Sequence, residues 1–206
     1  MQEWKKELCR EQPETLQELG KGTYIQRRNI TPYERKDGNG EADKGYSCEY
    51  RILTKEEYFA ALEQENSNKN MALLVKAESY KRCETNGIVY YAAVNGGNTA
   101  AYIFTESAKG YGGDIDLMVG IDTSGKVTGV SILSISETAG LGMNAKNESF
   151  INQYIGKSGT IGVSKNGASD TEIQALTGAT ITSKAVTSAV NTALSLYSQI
   201  GGEKVG

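Results

Sequence analysis

The pattern of apolar and polar residues becomes typical of β-strands from Ile88, and residues 114–121 alternate as expected for a strand that buries one face. Four strands are predicted, at residues 88–94, 99–105, 114–121 and 127–135. The tetrapeptides at 95–98 and 122–125 combine glycine with polar residues, which predicts turns between neighbouring strands. The apolar positions change phase between Ile132 and Leu133, which predicts a β-bulge.

The apolar spacing becomes helical near the end of the chain. Four apolar residues recur there at intervals of four, four and three: Val186, Val190, Leu194 and Tyr197. A shorter amphipathic helix is predicted over Phe150–Ile155, ending at Gly156. Hairpins followed by helices predict an α+β domain with a mostly antiparallel sheet and flanking helices.

Residues 1–65 are predicted to form a small separate α+β module, to which the pattern assigns no function. Short helical segments are expected around Trp4 and Leu8 and again over residues 13–19. Residues 24–30 and 48–53 are expected to pair as strands.

A helix is predicted next, because Thr54 and Glu57 have the spacing of a capping box. It is expected to run over Lys55–Glu65 and to bury three side chains, those of Tyr58, Phe59 and Leu62.

The polar stretch that follows has no period, so residues 66–70 are predicted to be a linker. The second domain is then expected over residues 71–206. For residues 71–81 the pattern leaves helix and strand open.

Composition excludes several kinds of site. A net charge of −3 and a pI near 5.2 argue against nucleic-acid binding, which needs clustered Lys and Arg. The chain has no histidine, which excludes Ser-His-Asp triads and histidine metal sites. The three cysteines, Cys9, Cys48 and Cys83, form no CxxC pair, so we expect free thiols rather than a disulfide framework or a zinc site.

The sequence Thr177-Gly178-Ala179-Thr180-Ile181-Thr182-Ser183 precedes the last predicted helix. Thr182 or Ser183 is expected to cap that helix, which places Thr180 just upstream of its N-terminus. Free N–H groups and the helix dipole favour an anion such as a phosphate there. Gly178 and Ala179 leave the Thr180 hydroxyl open to approach. The residues alone equally suit a small-residue loop with a Ser/Thr cap.

The same string resembles the flavinylation motif of the FMN-binding domain family. That domain is found in the G subunit of the Rnf electron-transport complex and in the C subunit of the sodium-translocating NADH:quinone reductase. The segment Glu137–Gly142 (ETAGLG) is similar to the family's ETPGLG loop, and Lys109–Gly113 (KGYGG) to its GYGG segment. The resemblance covers residues 75–200. Gln174 stands where the family often has Asp, and Ala139 replaces the usual proline.

The resemblance implies that Thr180 carries FMN as a phosphoester, attached by a flavin transferase that uses FAD. Thr177, Thr182 and Ser183 are the fallback acceptors, in that order. It also implies an electron carrier that works with other redox subunits of a membrane complex, rather than an independent enzyme. The cofactor-binding residues it indicates are Thr177, Gly178, Ala179, Thr180, Thr182, Ser183, Glu137, Thr138, Gly140, Leu141, Gly142 and Tyr111.

Individual roles follow from the same resemblance. The hydroxyl and N–H groups of Thr182 and Ser183 are expected at the phosphate, and the loop of Gly140 and Gly142 against the ribityl chain or ring. Glu137 is expected either to accept a flavin hydrogen bond or to cap the loop. Lys146 and Lys184 either offset phosphate charge or are ordinary surface lysines.

Two other functions stay open at this point. One is a reductase that holds FMN reversibly, although no GxGxxG segment follows a strand as a nicotinamide site requires. The other is an interaction module that kept the fold without the flavin.

The location also has two readings. No apolar run is long enough for a membrane span, and the start MQEWKKELCREQ is too charged for a signal peptide. The relatives carry an N-terminal membrane helix, so the family role implies the extracytoplasmic face of a membrane. A complete chain as written would instead be cytoplasmic.

Overall fold

The computed structural model describes residues 16–19, 22–36, 40 and 42–201. The helix expected around Trp4 and Leu8 lies outside these residues, as do Cys9 and the side chain of Cys48. Cys83 carries a free thiol. The chain divides between Asn66 and Ser67 into two compact units. Their assignment as functional domains stays a prediction.

The first unit contains a three-stranded antiparallel sheet in the order β1-β2-β3. The strands are β1 (Leu16–Leu19), β2 (Thr23–Lys36) and β3 (Ala42–Leu53). The predicted pairing of β2 with β3 is correct, with Tyr24 opposite Leu53. The helical turn expected over residues 13–19 is wrong where the structure describes it, because residues 16–19 pair with β2. Leu16 gains burial in this pairing, packed with Tyr24 and Leu53.

Helix α1 (Lys55–Leu74) begins at the predicted capping box. The Thr54 N–H donates to Glu57 Oε2 at 2.9 Å, and the Glu57 N–H donates to Thr54 Oγ1 at 3.1 Å. Tyr58 and Leu62 are half-buried as expected. Phe59 is not buried, since 45% of its surface is exposed.

The helix continues through residues 66–70, which were expected to be an irregular linker. Asn, Ser and Lys each cost at most about 0.7 kcal/mol in a helix relative to Ala, so a polar stretch can stay helical when its end is anchored. Met71 and Leu74 provide that anchor, because both are buried in the second unit. Residues 71–81 therefore hold the end of a helix and the start of a strand.

The second unit contains a five-stranded antiparallel sheet in the order β4-β5-β6-β7-β8. Its strands are β4 (Ser79–Thr85), β5 (Ile88–Asn95), β6 (Asn98–Lys109), β7 (Asp114–Asp122) and β8 (Val127–Ile135). The four strands predicted between residues 88 and 135 are confirmed. Asp116 pairs with Ser134 and Leu117 with Ile132, so the register skips Leu133, where the bulge was predicted.

Short helices, a small strand pair and a long helix follow the sheet. Helix α2 (Glu148–Ile151) runs into a 3-10 turn at Asn152–Tyr154, close to the predicted short helix. Strands β9 (Gly162–Ser164) and β10 (Glu172–Gln174) form a small parallel ladder that the sequence pattern did not indicate. Helix α3 (Thr180–Gln199) completes the unit.

The two faces of the large sheet are covered differently. Helix α3 packs on β6 and β7, where Tyr102 and Phe104 of the sheet meet Val186 and Val190 of the helix in the main core. The last turn of α1 covers part of the other face, beside Ala93, Ala101, Ile103 and Met118. The observed architecture is the predicted α+β fold with flanking helices. No helix in the described part of the chain has the length and apolarity to cross a bilayer.

Candidate functional site

Glu137 joins the three segments that the motifs singled out. Its Oε1 accepts hydrogen bonds from the Tyr111 N–H at 2.7 Å and the Gly112 N–H at 3.2 Å. Its Oε2 accepts a hydrogen bond from Thr182 Oγ1 at 3.0 Å. One carboxylate therefore links the turn between β6 and β7, the loop after β8 and the first turn of α3.

Gly110 and Gly142 lie so close to the Glu137 carboxylate that neither position has room for a side chain. A Cβ atom at Gly110 would overlap Glu137 Oε1, and one at Gly142 would lie 2.6 Å from Glu137 Oε2 and 2.8 Å from Thr182 Oγ1. Real Cβ atoms essentially never approach other heavy atoms this closely. The Gly-rich segments are therefore explained first by packing around Glu137, and its two oxygens already have protein partners.

The Leu176–Ala179 segment is a tight turn in front of α3. The Ala179 N–H donates to the Leu176 carbonyl at 3.0 Å, and Gly178 has a φ of +74°, a conformation that other residues rarely adopt. The helix begins at Thr180, and its N-cap is Ala179, without a side-chain cap. The cap expected at Thr182 or Ser183 is therefore wrong, because the helix starts earlier.

The first turn of α3 leaves backbone donors free. The Ser183 N–H bonds to the Ala179 carbonyl, whereas the N–H groups of Thr180, Ile181 and Thr182 have no carbonyl four residues earlier within the helix. These donors lie at the positive end of a 20-residue helix. Such an end is suited to bind a phosphate.

A cleft of about 580 Å³ opens at this helix end. This volume falls within the range of about 300–1,000 Å³ that is typical of ligand pockets. Nine of the twelve sequence-predicted residues line it, together with Ile181, which the sequence did not single out. The lining residues are Tyr111, Glu137, Thr138, Leu141, Gly142, Gly178, Ala179, Thr180, Ile181 and Thr182.

Three of the predicted residues do not line the cleft. Thr177 and Gly140 are exposed beside it, whereas Ser183 is completely buried. The sequence contained a signal for the burial of Ser183. Ser183 precedes Val186 by three residues and Val190 by seven, so it lies on the apolar face of the helix. Lys146 and Lys184 are exposed and also lie outside the lining.

The rim of the cleft is apolar and open to solvent. Tyr111 is 71% exposed, Ile181 53% and Leu141 42%. The cleft therefore offers both free N–H donors, which suit the phosphate of a flavin nucleotide, and exposed apolar side chains, which suit its aromatic ring. The residues present therefore fit FMN.

Comparison with known families agrees with this chemistry. Residues 110–195 match the model of the FMN-binding domain. This part of the chain is similar to the FMN-binding domain family. The matched residues contain the Gly110–Gly113 turn, the Glu137–Gly142 loop and most of α3.

Two curated relatives match a similar stretch. The chain is 45% identical over 116 residues to the G subunit of the proton-translocating ferredoxin:NAD(+) oxidoreductase complex of Clostridium ljungdahlii, covering 56% of this chain and 63% of that protein. It is 38% identical over 118 residues to the G subunit of the Na(+)-translocating complex of Acetobacterium woodii, covering 54% and 56%. The chain thus spans less than two thirds of the length of either relative.

A solved structure shares the fold of the FMN-binding domain. Shewanella oneidensis NqrC superposes with a TM-score of 0.52 at 15% identity, over 74% of this chain and 80% of that one. At this level of identity the likeness concerns the fold.

Proposed function

We propose that this chain is an electron-carrier domain that holds FMN covalently, through a phosphoester on the Thr180 hydroxyl. The proposal rests on the burial and hydrogen bonding of the four hydroxyl groups in the TGATITS motif, those of Thr177, Thr180, Thr182 and Ser183. Of these four hydroxyls in the described chain, Thr180 alone both lines the cleft and has no side-chain hydrogen-bond partner. Thr182 donates to Glu137, Ser183 is buried with both of its hydrogen bonds inside the protein, and Thr177 lies outside the lining.

Attachment is a phosphoryl-transfer step with FAD as the donor. Thr180 Oγ1 forms a bond to the phosphorus on the FMN side, the pyrophosphate P–O bond breaks, and AMP leaves. The hydroxyl proton passes to a base of the flavin transferase. The chain's own contribution is a half-buried nucleophile beside free N–H donors that stabilise negative charge on the phosphate.

The cleft residues then have distinct tasks. The free N–H groups of the first turn of α3 bind the phosphate oxygens. The exposed side chains of Tyr111, Leu141 and Ile181 cover apolar surface of the ring. Glu137 keeps the cleft walls together rather than contacting the flavin, since its oxygens are engaged.

The bound flavin supplies the redox chemistry, and the protein supplies its position and environment. A covalent tether suits an open cleft, because a flavin held only by an exposed rim would be lost easily. The relatives are named as G subunits of ferredoxin:NAD(+) oxidoreductase complexes. These names support other redox subunits as the partners. The flavin transferase that would act during maturation is part of the proposal itself.

The test is co-expression of the chain with a flavin transferase, followed by denaturation, gel filtration and intact-mass analysis. Wild type should retain flavin absorbance and gain the mass of FMN less one water. Thr180→Val keeps the side-chain shape and removes the nucleophilic oxygen, so it should gain nothing. Thr177→Val is the matched control, because Thr177 belongs to the same motif but lies outside the cleft lining, and it should be flavinylated normally.

Each other outcome has a defined meaning. Equal flavin on wild type and Thr180→Val would refute Thr180 as the acceptor. Flavin that is released on denaturation would favour a reversible FMN reductase. Wild type without flavin would favour an interaction module.

A further inference from the structure

Ser183 holds the turn that presents Thr180. Its Oγ accepts a hydrogen bond from the Leu176 N–H at 2.9 Å and donates one to the Ala179 carbonyl at 2.9 Å. Leu176 and Ala179 are the two ends of the tight turn, already joined by their own backbone hydrogen bond at 3.0 Å. The Ser183 hydroxyl therefore fastens both ends of this turn to the first turn of α3.

A buried column of hydrogen bonds continues below Ser183 through its backbone carbonyl rather than through its hydroxyl. The Ser183 carbonyl accepts a hydrogen bond from Thr187 Oγ1 at 2.8 Å, and Thr187 Oγ1 pairs with the Tyr154 hydroxyl at 2.7 Å. Ser183, Thr187 and Tyr154 are at most 3% exposed. Buried hydroxyls that are fully paired restrict motion strongly, because leaving any of them unpaired is costly.

We infer that Ser183 is a positioning residue for flavin attachment, which sets the place and direction of the Thr180 hydroxyl without touching the flavin. The inference rests on the proposed function. A direct role at the phosphate is excluded by its burial and by its two protein partners. Position matters for this reaction, because a displacement of about 1 Å at a reacting group can lower a rate by about 100-fold.

The experiment measures kcat and KM for flavin transfer from FAD to the full-length chain by a flavin transferase. Ser183→Ala should lower kcat by about 10- to 100-fold, with a KM for the acceptor chain close to that of wild type. Ser183→Cys keeps the size and offers only a weak donor and acceptor, so its kcat should fall between those of Ser183→Ala and wild type.

Thr187→Val is the matched control for loss of stability. It removes the lower hydrogen bonds of the column but leaves both bonds of Ser183 Oγ to the turn. Thermal melting of each variant identifies the assay temperature at which all are folded. The inference predicts that Thr187→Val melts lower than wild type but transfers flavin with nearly wild-type kcat.

Two results would overturn the inference. One is that Ser183→Ala has the same kcat as wild type. If Ser183→Ala does not fold, the same result for Ser183→Cys would overturn the inference. The other is an equal fall in kcat for Thr187→Val, which would mean that general loosening explains the effect. Both leave wild-type flavinylation intact, whereas failure of the proposed function is seen as wild type without covalent flavin.

Discussion

Gly142→Ala perturbs the centre of the cleft by a single methyl group. The new Cβ would lie 2.6 Å from Glu137 Oε2, 2.8 Å from Glu137 Cβ and 2.8 Å from Thr182 Oγ1. The carboxylate oxygen is the end of a flexible side chain and can move, but Glu137 Cβ can move only with its backbone, and rotation of the Thr182 side chain is restricted by its burial. Overpacking of this kind costs about 1–3 kcal/mol.

The expected loss is measurable by thermal melting. A cost of about 2 kcal/mol corresponds to a fall in Tm of roughly 4–8 °C for a chain of this size. The same displacement breaks the Glu137–Thr182 hydrogen bond. We therefore also expect slower flavin attachment at temperatures where the variant is folded.

Gly113→Ala is the matched control in the neighbouring turn. Its Cβ would lie 3.6 Å from Ser136 Cβ, which is ordinary van der Waals contact. Its Tm should stay near that of wild type or rise slightly, because alanine restricts the unfolded chain. Equal Tm values for Gly142→Ala and wild type, or equal losses in both variants, would contradict the explanation of the glycine pattern given above.

Three further changes test other parts of the structure. Burial raises the pKa of Glu106, whose side chain has no hydrogen-bond or ion-pair partner in the described chain. The ionised carboxylate therefore destabilises the fold, so Glu106→Gln should raise Tm near neutral pH. This gain should disappear at about pH 4, where the wild-type carboxyl is protonated. Burial acts to raise the pKa of Asp122, but hydrogen bonds from Ser124 and Lys126 outweigh it and lower the pKa. Asp122→Ala should therefore lower Tm at neutral pH. The difference in Tm between variant and wild type should shrink as acid protonates the wild-type carboxylate. Thr54→Ala removes the capping box and should destabilise α1 by about 1 kcal/mol, measured by urea unfolding.

Features set by neighbours in sequence could be predicted. The capping box needs only Thr54 and Glu57, three residues apart, so the sequence determines it directly. The bulge at Leu133 was visible as a change of phase, because the buried face of a strand requires strict alternation. The apolar period of α3 placed Thr180 beside a helix N-terminus, although the N-cap is Ala179 rather than Thr182 or Ser183.

Features that depend on distant contacts could not be predicted. The helical state of residues 66–70 depends on Met71 and Leu74 being buried by the sheet. The strand at Leu16 depends on pairing with β2, which overrides the local preference. The sequence singled out Glu137 as a candidate residue, but not its hydrogen bonds to Tyr111 and Thr182. Those partners lie 26 and 45 residues away in the chain, so only the fold brings them together.

The account depends most on the attachment of FMN to Thr180. The most direct measurement is fragmentation mass spectrometry of the tryptic peptide of residues 166–184 from flavinylated protein, since this peptide contains all four motif hydroxyls. We predict fragment ions that place the mass of FMN, less one water, on Thr180. The same mass on Thr177, Thr182 or Ser183, or a peptide without added mass, would contradict the account.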